Sequence, residues 1–293
     1  MAGQRDVDYV IRREKLKRIV LQAWCLTKQT SQQYKLSNPI HLTVKSLKML
    51  SNKHFKHTSD RLESVYREVT KTLETAKGKR VKRIITIEGN IGAGKSTLLE
   101  QIRQRIATDP RIQPGQIVCM QEPVDLWESV KEDSTGESIL KKFYKEPAKY
   151  AFAFQVMAYT SRLAAFQRIN PDCEVILCER SLEADRNIFA KMLRDDGMID
   201  EVSYKVYQML YDNTAGAFPI DTVIYLDVSP EVCLERIGRR ARDGEGQISL
   251  EYLCRCDEYY KEWMRVIDRP VVAFQTLSSP SPLQPPQMEE GDD

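Results

Sequence analysis

From residue 89 the chain reads Gly89-Asn90-Ile91-Gly92-Ala93-Gly94-Lys95-Ser96-Thr97. Glycines at this spacing let the backbone wrap a phosphate, successive N–H groups and a helix N-terminus can face it, and Lys95 adds a point charge. By composition alone the pattern G-x-x-x-x-G-K-[ST] arises about once in a hundred chains of this length. The loop is expected to hold the phosphates of a nucleoside triphosphate, with Mg2+ on the Ser96 hydroxyl. No N-K-x-D run accompanies it, so a GTPase would lack its base-recognition motif.

Three further groups could act on those phosphates. In "QEPVDLW" (121–127), Glu122 ends an apolar run, where a carboxylate can take a proton from a hydroxyl nucleophile and Pro123 stiffens the turn that aims it. In "CERSLEAD" (178–185), Glu179 can reach the metal, Arg180 can neutralise a transferring phosphoryl group, and Asp185 lies just into the next helix. In "RIGRRARDGEG" (236–246), four arginines are followed by glycines, which describes a mobile lid that brings cations over a triphosphate.

These residues need a frame that gathers them. Short apolar runs at 83–88, 117–121, 174–178, 222–227 and 270–274 read as strands. Helical patterns between them span 96–107, 148–169, 180–194, 201–214, 230–240 and 250–267. Strands apolar throughout and separated by helices predict a doubly wound α/β domain, a parallel sheet with helices on both faces. Ligands are then expected at the carboxyl ends of its strands.

The net charge of +2 conceals an asymmetry, because residues 1–83 hold 20 Lys and Arg against 7 Asp and Glu while residues 84–293 hold 24 against 35. In the basic part, residues 60–77 place Leu62, Val65, Tyr66, Val69 and Leu73 on one helical stripe, and residues 6–24 show a weaker one. Residues 1–82 are expected to form a basic, partly helical extension acting in location or partner binding, and nucleic acid is expected as a partner only through it. Every catalytic candidate lies after it, so removing residues 1–80 is expected to spare turnover. The Pro, Ser and acidic stretch 276–293 is expected to be a disordered tail. The seven cysteines read as reduced thiols, no apolar run approaches the ~18 residues of a membrane span, and no signal-peptide core follows Met1. The expectation is an intracellular protein, of cytoplasm or nucleus rather than mitochondrion, without membrane contact.

In order along the chain stand "IEGNIGAGKST", "EPVDLW", "YKEPAKYAFAFQ", "SRL", "ERSLEADRNIFAK", "VIYLDVSPEVCLERI", "RRAR" and "SLEYL". With these motifs, residues 83–275 resemble the deoxynucleoside kinase family, its deoxycytidine and deoxyguanosine kinase branch in particular. The resemblance implies a P-loop NTPase-type sheet of five parallel strands, an arginine-rich lid and a homodimer. It also implies transfer of the γ-phosphoryl of ATP or UTP to a deoxynucleoside 5′-hydroxyl. By position, Glu122 resembles the general base, Glu179 and Ser96 the magnesium ligands, and Arg180, Arg236, Arg240 and Arg242 the phosphate clamp. Tyr144 and Glu245 correspond to the pair on the sugar 3′-hydroxyl and Gln155 to the amide on the base edge. Trp127, Leu140, Phe143, Phe154 and Phe189 would wall the base. The lid "DGEGQI" holds more glycine than is usual in the family, and the family's acidic donor-base loop is not recognisable after "VVAF".

Base choice is expected to rest on Arg162, seven residues and two helical turns after Gln155, which can form a bidentate pair with Asp185. In the family, Arg and Asp at these positions, with a small residue at Ala158, accompany deoxycytidine and purine deoxynucleosides. Two other readings are a nucleoside monophosphate kinase of the thymidylate kinase type, which needs a second cationic site, and a nucleic-acid-binding or scaffold protein with a degenerate kinase domain.

Overall fold

The computed structural model describes residues 58–78, 82–242 and 244–275; the stripe at 6–24, Cys25 and the tail at 276–293 lie outside them. The strands are β1 (Arg83–Gly89), β2 (Ile117–Met120), β3 (Val175–Glu179), β4 (Thr222–Asp227) and β5 (Val271–Gln275). They form one sheet in the order β2-β3-β1-β4-β5, each neighbouring pair parallel. The expected strand boundaries are met to within one residue. From β1 the chain crosses to β2 on one side, and from β3 it crosses to β4 on the other. That reversal opens a crevice at the carboxyl ends of β1 and β3.

The helices are α1 (Thr58–Ala76), α2 (Lys95–Thr108), α3 (Val124–Ser129), α4 (Ile139–Lys145), α5 (Pro147–Gln167), α6 (Leu182–Ala184), α7 (Lys191–Asp195), α8 (Glu201–Thr214), α9 (Pro230–Arg240) and α10 (Leu250–Val266). Starts are marked by short polar caps: the side chains of Ser181, Asp200, Ser229 and Ser249 accept backbone N–H groups of the turns that follow them. Strand alternation divides the core. Ile85, Ile87, Val175 and Leu177 pack with α1 and α2 on one face; Ile84, Ile176 and Cys178 pack with α5 and α8 on the other. Val223 and Tyr225 continue that second face against α10.

Two expectations are corrected here. Residues 58–76 are not a dispensable appendage: Val65, Tyr66, Val69, Leu73 and Ala76 are buried in one cluster with Ile85, Ile87, Leu98, Leu99, Val175 and Leu177. Glu63 pairs with Arg105 at 2.7 Å, and the Arg105 guanidinium stands 4.3 Å from the Tyr66 ring centre. The stripe on α1 is one wall of the core on that face of the sheet. The helix expected at 180–194 is also not continuous. Arg180 adopts a left-handed conformation (φ 64°) with its N–H on the Ile87 carbonyl at 3.0 Å, so helix begins only after it. Residues Asp185–Ala190 then form a π-helical turn, a form concentrated at functional sites.

Candidate active site

Register sets the site. Ile87 lies opposite Glu179 and Gly89 opposite Leu226, so the loop leaving β1 emerges beside the end of β3. Two glycines are required by close approach. At Gly89 (φ 143°) an added Cβ would sit 2.6 Å from the Leu226 carbonyl oxygen, and at Gly92 (φ 79°) 2.5 Å from that of Cys233. The loop is thereby pressed against β4 and α9, and α2 starts at Lys95 with its N-terminus toward the crevice.

Lys95 is buried, and its Nζ donates to the Asn90 carbonyl at 2.9 Å. Burial, with the nearby Arg180 charge, lowers its pKa to about 8, while Glu122 and Glu179 pull the other way. The Asn90 side chain faces away from the crevice: its Oδ1 accepts the Ile91 N–H and its Nδ2 donates to the Leu253 carbonyl at 2.8 Å, tying the loop to α10. Ser96 Oγ donates to Glu179 Oε1 at 2.7 Å. A hydroxyl and a carboxylate converging below the phosphate loop suit a hard divalent cation. Among the described residues no group of three or more His, Cys, Asp or Glu could hold a metal, so a cation here would complete its shell with phosphate oxygens and water.

A cavity of about 460 Å³ runs from this loop to an aromatic pocket. Glu122 sits between the two ends. Its Oε1 accepts from Arg180 Nε at 2.7 Å and from Arg162 Nη2 at 3.0 Å. Burial by itself would raise the Glu122 carboxyl, but the charges of Arg180, Arg162 and Lys95 outweigh it and hold the group at about 2. Both bonds fall on one oxygen, which leaves Oε2 for a substrate hydroxyl.

Arg162, 1% exposed, is the hub of the other end. Its Nε and Nη2 reach the two oxygens of Asp185 at 2.9 and 3.4 Å, and Nη1 donates to the Glu179 carbonyl at 2.8 Å. Asp185 lines the cavity and Arg162 stands behind it, as do Gly89, Asn90 and Ala93 of the loop. Phe143 stacks on Phe154 at 4.7 Å, Trp127 meets Phe154 edge-on at 5.5 Å, Leu140 and Phe189 complete the apolar walls, and Gln155 adds a buried amide. Trp127 Nε1 donates to Ser161 Oγ at 2.9 Å, which fixes the indole.

The lid residues Arg236, Arg240, Arg242 and Glu245 reach the same cavity. Arg236 donates to the Ala93 carbonyl at 3.0 Å. Arg240 forms a bidentate pair with Glu245 (2.6 and 3.0 Å), and Arg242 adds a contact at 3.5 Å. Glu245 is thus held by the arginines and not by Tyr144, although its charge adds to the burial that raises the Tyr144 phenol.

The residues of the site missed in the sequence include Gln121, Val124 and Asp125, which line the cavity beside Glu122, and three others. Tyr252 on α10 lines the cavity edge-on to Tyr144 at 6.5 Å. Tyr260, two turns further along α10, and Glu88 of β1 stand behind Arg180. Glu88 carried a signal, a carboxylate inside an apolar strand; the tyrosines carried none, because a helical aromatic stripe reads equally well as core.

Comparison with known proteins agrees with this geometry. The deoxynucleoside kinase family model matches residues 85–280. A probable deoxycytidine kinase of Fowlpox virus (strain NVSL) is 34% identical over 184 residues, covering 61% of this chain and 71% of that protein. Deoxycytidine kinase of Homo sapiens is 34% identical over 211 residues, covering 65% and 78%. Deoxyadenosine kinase of Dictyostelium discoideum is 33% identical over 207 residues, covering 70% and 76%. No helix among the described residues is long and apolar enough to cross a membrane. The phosphate loop, the carboxylate between two arginines and the arginine lid, with the family match over residues 85–280, establish that this chain belongs to the deoxynucleoside kinases and is an ATP-dependent kinase of that family.

Proposed function

We propose that the cavity takes a deoxynucleoside in its aromatic half and the triphosphate of ATP in its loop, and that deoxycytidine or a purine deoxynucleoside is preferred to thymidine. The observation that carries the base assignment is the buried bidentate pair of Arg162 with Asp185 at the base end. The names of the deoxycytidine and deoxyadenosine kinases among the relatives support it. Stacked rings at Phe143 and Phe154 hold the base plane, Gln155 offers its amide to the base edge, and Tyr144 takes the sugar.

In the transfer, the 5′-oxygen bonds to the γ-phosphorus as the bond from that phosphorus to the β-phosphate bridging oxygen breaks, the leaving diphosphate keeping the electron pair. The hydroxyl proton goes to Glu122 Oε2. A loose transition state delays that transfer until the new bond is well advanced, so a carboxylate held near 2 suffices. Lys95, Arg180 and the lid arginines stabilise charge on the equatorial oxygens. Mg2+, held by Ser96 and Glu179 with the nucleotide, would neutralise the β- and γ-phosphates.

A panel of deoxynucleosides with labelled ATP tests the base assignment. Changing Arg162→Met together with Asp185→Ala avoids leaving one buried charge alone. It is expected to raise kcat/KM for thymidine relative to deoxycytidine by at least about tenfold, or ~1.4 kcal/mol. Absolute rates should fall, because Glu122 and the Glu179 carbonyl each lose a donor. A wild type that prefers thymidine, or an unchanged ratio, refutes the assignment.

The protein also works as a homodimer, two copies meeting through α8 and the outward side of α5. Val202, Val206 and Met209, spaced i, i+4, i+7 on α8, are 71%, 51% and 64% exposed. On α5, Phe152, Val156 and Met157 are only partly covered. Tyr159 of α5 joins the two helices through Thr214 at 2.7 Å. Val206→Asp should give monomers in light scattering, while a monomeric wild type excludes the dimer.

A further inference from the structure

Behind Arg180, outside the cavity, a second carboxylate is fully buried at Glu88. Its Oε1 accepts from Thr86 Oγ1 and Ser181 Oγ, both at 2.7 Å, and its Oε2 from Tyr260 Oη at 3.3 Å. The Tyr260 oxygen in turn accepts from Arg180 Nη1. The phenol can accept from the arginine only while its own proton has somewhere to go, and Glu88 Oε2 is that acceptor. Ser181 is in the same position: its proton goes to Glu88, which frees the oxygen to accept the Ala184 N–H at 3.0 Å and start the helical run that carries Asp185.

Arg180 needs such support. Its φ of 64° is disfavoured for a residue with a Cβ, so the surroundings must hold it. They do so through the Ile87 and Gly89 carbonyls at 3.0 and 3.3 Å, the Phe189 ring at 4.6 Å and the Tyr260 oxygen. We propose that Glu88 is a positioning residue for phosphoryl transfer, which through Tyr260 and Ser181 aims the Arg180 guanidinium at Glu122 and the transferring group. This rests on the role of Arg180 given above. The carboxylate is required as such: an amide of the same shape places its NH2 either against Tyr260 Oη, which already receives Arg180, or against two hydroxyl donors.

The groups that face Glu88 are the Thr86 and Ser181 hydroxyls, the Tyr260 phenol, the Cys178 thiol, and the Arg180, Arg162 and Lys95 charges. Burial raises its pKa to about 7 against the pull of Ser181, Arg180, Thr86 and Arg162. The accepting, ionised form is therefore lost as pH falls through about 7, where Glu122, held near 2, stays ionised. A raised carboxyl pKa also means that ionisation opposes folding above the unfolded-state value, so an amide here should not lower thermal stability at pH 8.

The test compares Glu88→Gln, Tyr260→Phe, their double variant and Arg180→Lys by kcat and KM across pH 5.5–9, with melting temperatures. Glu88→Gln and Tyr260→Phe are each expected to lower kcat about tenfold at pH 8 with KM for both substrates within about threefold. Glu88→Gln should also lose the wild-type acid limb near pH 7 and keep its melting temperature, and the double variant should be no slower than the slower single variant. A folded Glu88→Gln with wild-type kcat and pH profile overturns the proposal, as do additive losses in the double variant. If Glu88→Gln fails to fold, wild-type kcat in Tyr260→Phe overturns it instead. If Arg180→Lys alone is slow, only this inference fails; if no variant is slow, the reading of Arg180 fails with it.

Discussion

A chain lacking residues 1–80 is expected to be insoluble or unfolded, whereas one lacking only residues 1–57 should remain soluble and active. The difference is α1. Val65, Tyr66, Val69 and Leu73 are buried against the sheet and α2. Burying one large apolar side chain contributes roughly 1.5–3 kcal/mol, so four amount to roughly 6–12 kcal/mol. A whole domain is stable by only ~5–15 kcal/mol. Losing α1 also exposes Ile85, Ile87, Leu99 and Leu177, an apolar face that would promote aggregation. Val69→Asp in the otherwise intact chain should act the same way, by placing an unpaired carboxylate where the side chain is wholly buried. Soluble yield, circular dichroism and turnover of the two truncations decide the point. A fully active chain lacking residues 1–80 would show that the helix is an accessory.

Glu122→Gln is expected to lower kcat by ~10²–10⁴, about 2.7–5.4 kcal/mol in the barrier, with nucleoside affinity little changed. The amide oxygen can take the place of Oε1 and keep both arginine bonds, which leaves the NH2 where the substrate hydroxyl must give up its proton. That group holds the hydroxyl but cannot become protonated. Stability should fall too, since the charge opposing Arg162 and Arg180 is gone. The Glu122 pKa is depressed in the fold, so its contribution is present above the unfolded value of about 4.5 and lost as pH falls toward about 2. The melting difference between wild type and Glu122→Gln should therefore be largest at neutral pH and shrink below about pH 4.5. Calorimetric binding with stopped turnover fits this role. Collapsed binding would make Glu122 a positioning residue, and a kcat loss below about threefold would put the base elsewhere.

Features written in short stretches of chain are legible in the sequence. A glycine pattern that must follow a strand and open a helix marks the phosphate loop, because left-handed backbone and close approach at Gly89 and Gly92 are local demands that other residues cannot meet. Apolar runs between helical patterns likewise mark all five strands, since a strand buried on both faces has little room for polar side chains. The placement of Glu122, Glu179 and Arg180 at strand ends follows from the same reading.

Other features arise where partners far apart in sequence meet, and they meet only through the strand order β2-β3-β1-β4-β5. The stripe on α1 can be counted in the sequence, but whether it faces water or a sheet depends on what lies beside it; Val65 and Val69 share a cluster with Phe274. Helical spacing places Arg162 on one face with Gln155 and a pairing with Asp185 can be proposed, yet its bond to Glu122, 40 residues away, arises only in the folded chain. Glu88 and Tyr260 are separated by 172 residues and are joined through the position of α10 beside β1. Glu245 can be assigned to a sugar hydroxyl by motif; its pairing with Arg240 and Arg242 is visible only in the fold of the lid. Backbone geometry and periodicity are local, so the loop, the strands and the residue types of the site can be read from the chain alone. Which carboxylate meets which arginine is set by packing, because hydrogen bonds and ion pairs depend on distances that no local pattern encodes.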